Sequence, residues 1–279
     1  MKKIICALDF STGALHALDY AFMVANAFEA DIDMVWVDFA ADASNLPAIS
    51  RDLRLEVKRQ FDEIMSARNK DLKSGNLSFK LKKGKVYQEV AAYAKAEQAD
   101  LIIAGSHGVS GYEQFWIGSN AYRIVSYAPC PVITVRAAFD FSKGIQRIIM
   151  PIDSTSETIT KVPFTAMLAR EFGAEIHILA LHSTPLVSLQ KKVGRTVAEV
   201  AKLLKKGGIR HKEAAVQSDN ITTAAIDYAV ENKADMISIM TEKENSAANI
   251  MLGPYAQQMV NNAPIPVLSI NPRHARYIP

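Results

Sequence analysis

An internal repeat limits the architecture of this chain more than any other feature of its sequence. Residues Lys3 to Ile32 align with residues Arg147 to Ile176 at a constant offset of 144 positions in the sequence. Residues Ala99 to Val135 align with residues Ala234 to Ile270 at an offset of 135 positions. The second copy is therefore nine residues shorter between these two aligned stretches. Two such alignments in the same order indicate that the chain contains two tandem copies of one domain.

Each copy begins in the same way. A short apolar run ends in an aspartate, from Ile4 to Asp9 in the first copy and from Ile148 to Asp153 in the second. A hydroxyl residue follows two positions later, Ser11 or Thr155, and we expect it to cap a helix. The pattern is typical of a strand that leads directly into a helix.

Strand-like and helix-like segments alternate along both copies. The helical spacing of apolar residues predicts helices over Ala14–Phe28, Val86–Glu97 and Ala224–Glu231, and places Leu15 on the buried stripe of the first. The predicted strands are Lys3–Leu8, Ile32–Val37, Leu77–Lys82, Leu101–Gly105 and Val132–Val135, then Ile148–Ile152, Ile176–His182, His211–Gln217, Met236–Met240 and Val267–Ile270. Their central runs are continuously apolar, which is typical of parallel strands buried on both faces. The sequence therefore predicts an α/β protein of two tandem doubly wound domains, each with a five-stranded parallel sheet.

Composition sets the domain boundaries and the class of protein. We assign residues 1–138 and 145–279 to the two domains, with Arg136 to Gln146 as a short polar linker. A net charge of +3 without long basic runs argues against a nucleic-acid partner. No run reaches the roughly 18 apolar residues of a membrane helix, and Asp9 ends the first apolar run too early for a signal peptide. Cys6 and Cys130 lie in apolar runs, so we expect reduced, buried thiols and a cytoplasmic protein without a membrane partner.

A glycine-rich loop in the first copy is the candidate ligand site. In open parallel sheets, ligands bind outside the carboxyl ends of the strands. Gly105 to Gly111 follows the fourth strand, and Gly118 to Asn120 opens the last helix. Glycines let backbone amides approach an anion closely, and a helix start adds free amides and the positive end of its dipole. These residues predict a phosphate site next to Asp9.

The same residues resemble a known family. The spacing Gly105-x2-Gly108-x9-Gly118-Ser119, followed by Ala128-Pro129-Cys130-Pro131-Val132, is similar to the signature of universal stress proteins, and it covers the chain as two tandem family domains. The resemblance implies the universal stress protein (adenine nucleotide alpha hydrolase-like) fold. In members with this glycine motif it also implies binding of ATP or a related adenine nucleotide, with the role of Mg²⁺ left open.

Nine positions are assigned to the nucleotide by this resemblance. Those around the base and ribose are Ala7, Asp9 and Val37. Those along the phosphates are Gly105, His107, Gly108, Gly118, Ser119 and Asn120. Two alternatives stay open at this point: His107 as a solvated loop residue, and Asp9 as a strand-end residue that caps the first helix.

The second copy has lost this motif. Met240 stands for Gly105 and Lys243 for Gly108, while Pro254 replaces Ser119 and offers neither a hydroxyl nor an amide donor. We therefore expect the second domain to be a structural partner. The resemblance suggests pairing through the last strands, Val132–Val135 and Val267–Ile270, as an intrachain pseudo-dimer. The sequence leaves dimerisation of the whole chain open.

Three functions are compatible with these residues. The first is a nucleotide-binding stress or regulatory sensor that acts on a protein partner. The second is an enzyme, a slow ATPase or an adenylate-forming transferase, although no Walker sequence and no paired carboxylates accompany the glycine loop. The third is a nucleotide-independent module that binds a protein or an apolar ligand through Tyr112, Phe115, Trp116 and the pair Met251-Leu252. Residues Phe39 to Ile49 are a candidate lid.

Overall fold

The computed structural model describes residues 1–38, 47–106, 118–155, 157–241, 243–246 and 249–272. Its helices are α1 (Thr12–Phe28), α2 (Pro47–Arg68), α3 (Val86–Ala96), α4 (Ser119–Tyr127), α5 (Val162–Phe172), α6 (Val187–Lys206), α7 (Ile221–Glu231) and α8 (Pro254–Asn262). Its strands are β1 (Lys3–Ala7), β2 (Asp31–Asp38), β3 (Leu77–Lys83), β4 (Leu101–Gly105), β5 (Val132–Val135), β6 (Arg147–Ile152), β7 (Glu175–His182), β8 (His211–Gln217), β9 (Met236–Met240), β10 (Lys243–Ser246), β11 (Asn249–Leu252) and β12 (Val267–Ile270). The ten predicted strands are all present.

Ten of these strands form one continuous sheet. Its order is β3-β2-β1-β4-β5-β12-β9-β6-β7-β8, so each repeat contributes five neighbouring parallel strands in the doubly wound order. The predicted fold class is confirmed. The two halves meet at β5 and β12, which pair antiparallel with Leu268 opposite Ile133. The internal pairing of the last strands that the sequence suggested is present.

Both faces of the sheet are buried, which explains the apolar character of the strands. Ile133 and Leu268 belong to the hydrophobic core on one face, and Val132 and Val267 belong to the core on the other. Each core contains residues from both repeats, so neither core ends at the joint between β5 and β12. An edge strand here would expose unpaired backbone groups, and the pairing removes that hazard.

The segment between the repeats is docked rather than a free polar tether. The imidazole Nε2 of His16 lies 2.8 Å from the carbonyl of Phe139, and the Phe141 ring lies 5.1 Å from the ring of Tyr20. Ile145 is buried. The guanidinium of Arg136 donates to two carbonyls at the end of α8, which ties the end of β5 to the other repeat.

The starts of the first helix in the two repeats differ from each other. Ser11 is the N-cap of α1, where its hydroxyl accepts from the amide of Ala14 at 3.2 Å. Thr155 does not cap the matching helix α5, which begins only at Val162 after a short 3-10 helix. Leu15 is 39% exposed and is not on the buried stripe of α1. The spacing placed it one position away from residues that pack on the sheet.

A buried polar chain lies under α5 in the second repeat. Lys161 is 2% exposed, and its ammonium donates to the carbonyl of Thr158 at 2.7 Å and to its hydroxyl at 3.0 Å. The hydroxyl of Thr165 donates to the Lys161 carbonyl and lies 2.6 Å from the hydroxyl of Ser238. The matching residues of the first repeat are Ala14, Ala17, Ala21 and Ile103. The second repeat therefore has polar side chains at four buried positions where the first repeat has apolar ones.

Both cysteines of the chain are in the hydrophobic interior. Cys6 and Cys130 are free and buried, as expected, and burial raises the pKa of the Cys6 thiol to about 12. Within the described part of the chain no helix is long and apolar enough to cross a bilayer. The described residues also contain no group of three or more His, Cys, Asp or Glu side chains arranged to hold a metal ion.

Candidate functional site

A cavity of about 290 Å³ opens at the carboxyl ends of β1, β2 and β4 in the first repeat. Seven of the nine predicted positions are in its wall: Ala7, Asp9, Val37, Gly105, Gly118, Ser119 and Asn120. The other two, His107 and Gly108, lie outside the described residues, as do Tyr112, Phe115, Trp116 and most of the candidate lid. The structure thus brings together residues that are more than 100 positions apart in sequence.

The β1–α1 turn holds Asp9 at the cavity wall. Its Oδ1 accepts from the Ser11 amide at 3.0 Å and from the Ser11 hydroxyl at 2.5 Å, and Ser11 in turn caps α1. Asp9 therefore supports the cap without being the cap itself. Asp153 makes the same two bonds with Thr155 in the second repeat. The turn is thus part of the repeated fold, whatever ligand lies beside it.

Phe10, between these two residues, has a backbone φ of 61°. A bulky side chain rarely adopts this left-handed conformation, because its Cβ crowds the backbone. The Phe10 ring packs edge-on against Phe61 of α2 at 4.9 Å, and Phe61 is fully buried. This contact holds the turn that carries Asp9.

Gly105 has a packing reason to be glycine. A Cβ at this position would lie 2.8 Å from the carbonyl oxygen of Gly13 in the first turn of α1. The amide of the next residue, Ser106, donates to Val135, and its carbonyl accepts from the amide of Gly118 at 2.7 Å. The end of β4 is therefore locked between α1, β5 and the start of α4.

The N-terminus of α4 supplies the anion-binding groups. Gly118 is the N-cap, with φ −57° and ψ 141°, and no side chain caps the helix. The first amides of a helix lack intrahelical partners and carry the positive end of the dipole. Ser119 and Asn120 are exposed here, and Asp9 is the one charged residue among those that line the cavity. An anion would be held by amides, hydroxyl and dipole.

The other half of the wall is apolar, and motif analysis did not assign it. It is formed by Leu8, Val35, Trp36, Val86, Ala104, Ala121 and Ile124. Trp36 is half-buried and Val35 is buried, both near the carboxyl end of β2. The rule that ligands lie at carboxyl ends of parallel strands could have identified these two from the strand predictions. The cavity thus joins an apolar wall to an anion-binding end.

Comparison with known proteins places this fold in a family. The model of the universal stress protein family matches residues 1–136 and again residues 144–271. The chain belongs to the universal stress protein family. A universal stress protein of Methanocaldococcus jannaschii is 30% identical over 139 residues, which is 48% of this chain and 82% of that protein. Bacillus subtilis universal stress protein YxiE is 28% identical over 146 residues, which is 48% of this chain and 99% of its own length.

Solved structures support the fold over the whole chain. A universal stress protein from Archaeoglobus fulgidus superposes with a TM-score of 0.76 at 14% identity, covering 97% of this chain and 98% of that one. A putative universal stress protein from Pseudomonas aeruginosa gives a TM-score of 0.64 at 17% identity, covering 99% and 95%. These matches span both repeats, so the tandem arrangement occurs in other solved proteins.

The second repeat of this universal stress protein differs at the matching place. Met240, in the position of Gly105, is buried. The hairpin β10–β11 follows where the first repeat has its glycine loop. Leu252 of this hairpin is buried and its amide donates to the Tyr122 hydroxyl of α4 at 3.2 Å. The Leu252 side chain is therefore not available for the apolar binding surface that the sequence suggested.

Proposed function

We propose that this universal stress protein binds ATP or a related adenine nucleotide in the cavity of its first repeat. The observation that carries the proposal is the uncapped N-terminus of α4 in the wall of a 290 Å³ cavity. Phosphates bind well at such helix ends. The apolar wall suits a flat base, and the glycine motif points to the same ligand through the family resemblance.

The second repeat is proposed to be a silent structural partner. Pro254 is the first residue of α8, so this helix lacks the amide that Ser119 provides in α4. In this proposal one nucleotide binds per chain, and its occupancy biases the surface presented to a protein partner. The protein acts as a cytoplasmic stress-response sensor. Slow hydrolysis of the bound nucleotide is the enzymatic alternative.

A single substitution at the N-terminus of α4 tests the proposal. Ser119→Pro removes the hydroxyl and the first amide donor of α4. Gly118 already has the extended conformation that a following proline requires, and proline is favoured at the first position of a helix. The fold is therefore retained. Hydrogen bonds to charged groups contribute about 1.5–3 kcal/mol each, so affinity for Mg-ATP falls at least about tenfold.

The measurement combines two assays. Nucleotide released from gently purified protein is identified by mass, and Mg-ATP is titrated calorimetrically into the wild type and into Ser119→Pro. Pro254→Ser, the reverse change in the second repeat, is the matched control and leaves the binding isotherm unchanged. Absence of released nucleotide together with absence of binding heat at millimolar ATP in the wild type would overturn the proposal.

A further inference from the structure

Helix α6 carries an unusual concentration of positive charge. Six of its residues are basic and one, Glu199, is acidic. Residues 1–144 contain 17 basic and 17 acidic residues, whereas residues 145–279 contain 15 and 12. The net charge of the chain thus comes from the second repeat. The net charge of helix α6 is more positive than the net charge of the whole second repeat.

These cations lie opposite the buried stripe of the helix. Val193, Val197, Val200 and Leu204 pack on the sheet. Residues 191, 195 and 202 follow one another by four and seven positions, so they share one face of the helix. The six exposed cations are Lys191, Lys192, Arg195, Lys202, Lys205 and Lys206. At 1.5 Å per residue, the row from 191 to 205 is about 21 Å long.

None of the six forms an ion pair within 4.0 Å among the described residues, although Glu199 lies one turn from both Arg195 and Lys202 on the same face. Helix α2 occupies the matching place in the first repeat, after the second strand. Its charged residues do form ion pairs. There Lys58 pairs with Asp62 at 3.1 Å, and Arg59 pairs with Glu56 and Glu63. Like charges one turn apart destabilise a helix slightly, so α6 keeps an unfavourable arrangement that α2 neutralises.

Aliphatic side chains flank the basic row. Val187, in the first turn, is 61% exposed, and Leu203, near the end, is 48% exposed. They lie on opposite sides of the row and do not form a continuous apolar seam. A partner helix would require such a seam, so the surface fits a broad anionic layer better than a helical protein segment.

We propose that the outer face of α6 is a docking surface for a bilayer rich in anionic headgroups, contrary to the expectation from the sequence of a protein without a membrane partner. Five of the six cations are lysines, which attract phosphates as point charges without the fork geometry of arginine. Headgroups in a fluid layer rearrange around flexible side chains, so a straight helix can lie flat on them. The apolar stripe of α6 packs in the protein core, so the contact is electrostatic adsorption without insertion. Each basic residue near such a surface contributes about a fivefold factor in affinity.

Vesicle cosedimentation tests this inference with the full chain. Vesicles of phosphatidylcholine alone are compared with vesicles containing phosphatidylglycerol, at low and at high salt. The test variant is Lys191→Glu/Arg195→Glu/Lys202→Glu. The matched control is Lys70→Glu/Lys73→Glu/Lys80→Glu, which makes the same change of net charge at exposed positions of the first repeat. Circular dichroism confirms that both variants remain folded.

The expected result is salt-sensitive binding to the anionic vesicles and none to the neutral ones. The α6 variant loses on the order of 100-fold in affinity, at about fivefold for each residue, while the control stays within about threefold of the wild type. No wild-type binding to anionic vesicles would overturn the proposal, and so would equal losses in both variants. Tighter, α6-dependent binding to single-stranded or duplex RNA than to the vesicles would assign the surface to nucleic acid instead.

Discussion

Replacing Lys161 by methionine tests whether the polar chain under α5 carries a buried charge. The side chain is 2% exposed, and burial lowers the pKa of its ammonium from 10.5 to about 8, against a smaller opposing effect of Asp153. The folded chain therefore releases this proton at a lower pH than the unfolded chain does. Between pH 8 and 10.5 the unfolded state binds more protons, so the lysine makes stability rise with pH in that window.

The magnitude follows from the width of the window. Each pH unit is equivalent to about 1.4 kcal/mol for one proton, so the contribution of Lys161 rises by roughly 3 kcal/mol from pH 7.5 to 10.5. Below pH 8 both states hold the charge and the full penalty applies. Lys161→Met removes this penalty but leaves the Thr158 carbonyl without its donor, which costs about 1–3 kcal/mol. At pH 7.5 the variant is expected to equal the wild type or exceed it by up to about 2 kcal/mol.

Urea unfolding followed by circular dichroism at several pH values provides the measurement. The quantity of interest is the free energy of unfolding of the wild type minus that of Lys161→Met, because groups that titrate in both proteins cancel. Exposed Lys202→Met serves as the control and gives a difference that does not change with pH. If the Lys161 difference is also flat between pH 7.5 and 10.5, the reasoning about a buried ammonium is refuted.

Two further substitutions probe packing at the site and at the joint. Gly105→Ala places a Cβ 2.8 Å from the Gly13 carbonyl oxygen and should lower the free energy of unfolding by about 1–3 kcal/mol. Thermal melting detects this, and Gly194→Ala, in open space on α6, should instead raise the melting temperature. Arg136→Met removes the cation at the end of α8 and should cost roughly 2–4 kcal/mol in urea unfolding. A loss under about 0.5 kcal/mol would show that these bonds do not stabilise the joint.

Local pattern was sufficient to predict the sheet and half of the residues that line the candidate cavity. Apolar runs define buried parallel strands, because a strand covered on both faces cannot alternate with polar residues. The ten predicted strands agree with the observed ones to within one residue at every end. Glycine spacing located Gly105 and Gly118, which line one cavity because carboxyl ends of parallel strands meet at one edge. Helix α6 was also within reach, since Val193, Val197 and Val200 follow helical spacing.

Tertiary structure alone decided the rest. A lysine in a sequence is read as solvated, and only the packing of α5 on the sheet places Lys161 out of water. Val57, Phe61 and Ile64 follow helical spacing in α2, but only the fold shows that Phe61 is fully buried against Phe10 and Phe79. The hairpin β10–β11 replaces a loop for which the sequence offered no strand signal. The burial of Lys161 and the packing of Phe61 depend on contacts with residues distant in sequence, whereas the strands and the glycine motif depend on residues that are near one another in the chain.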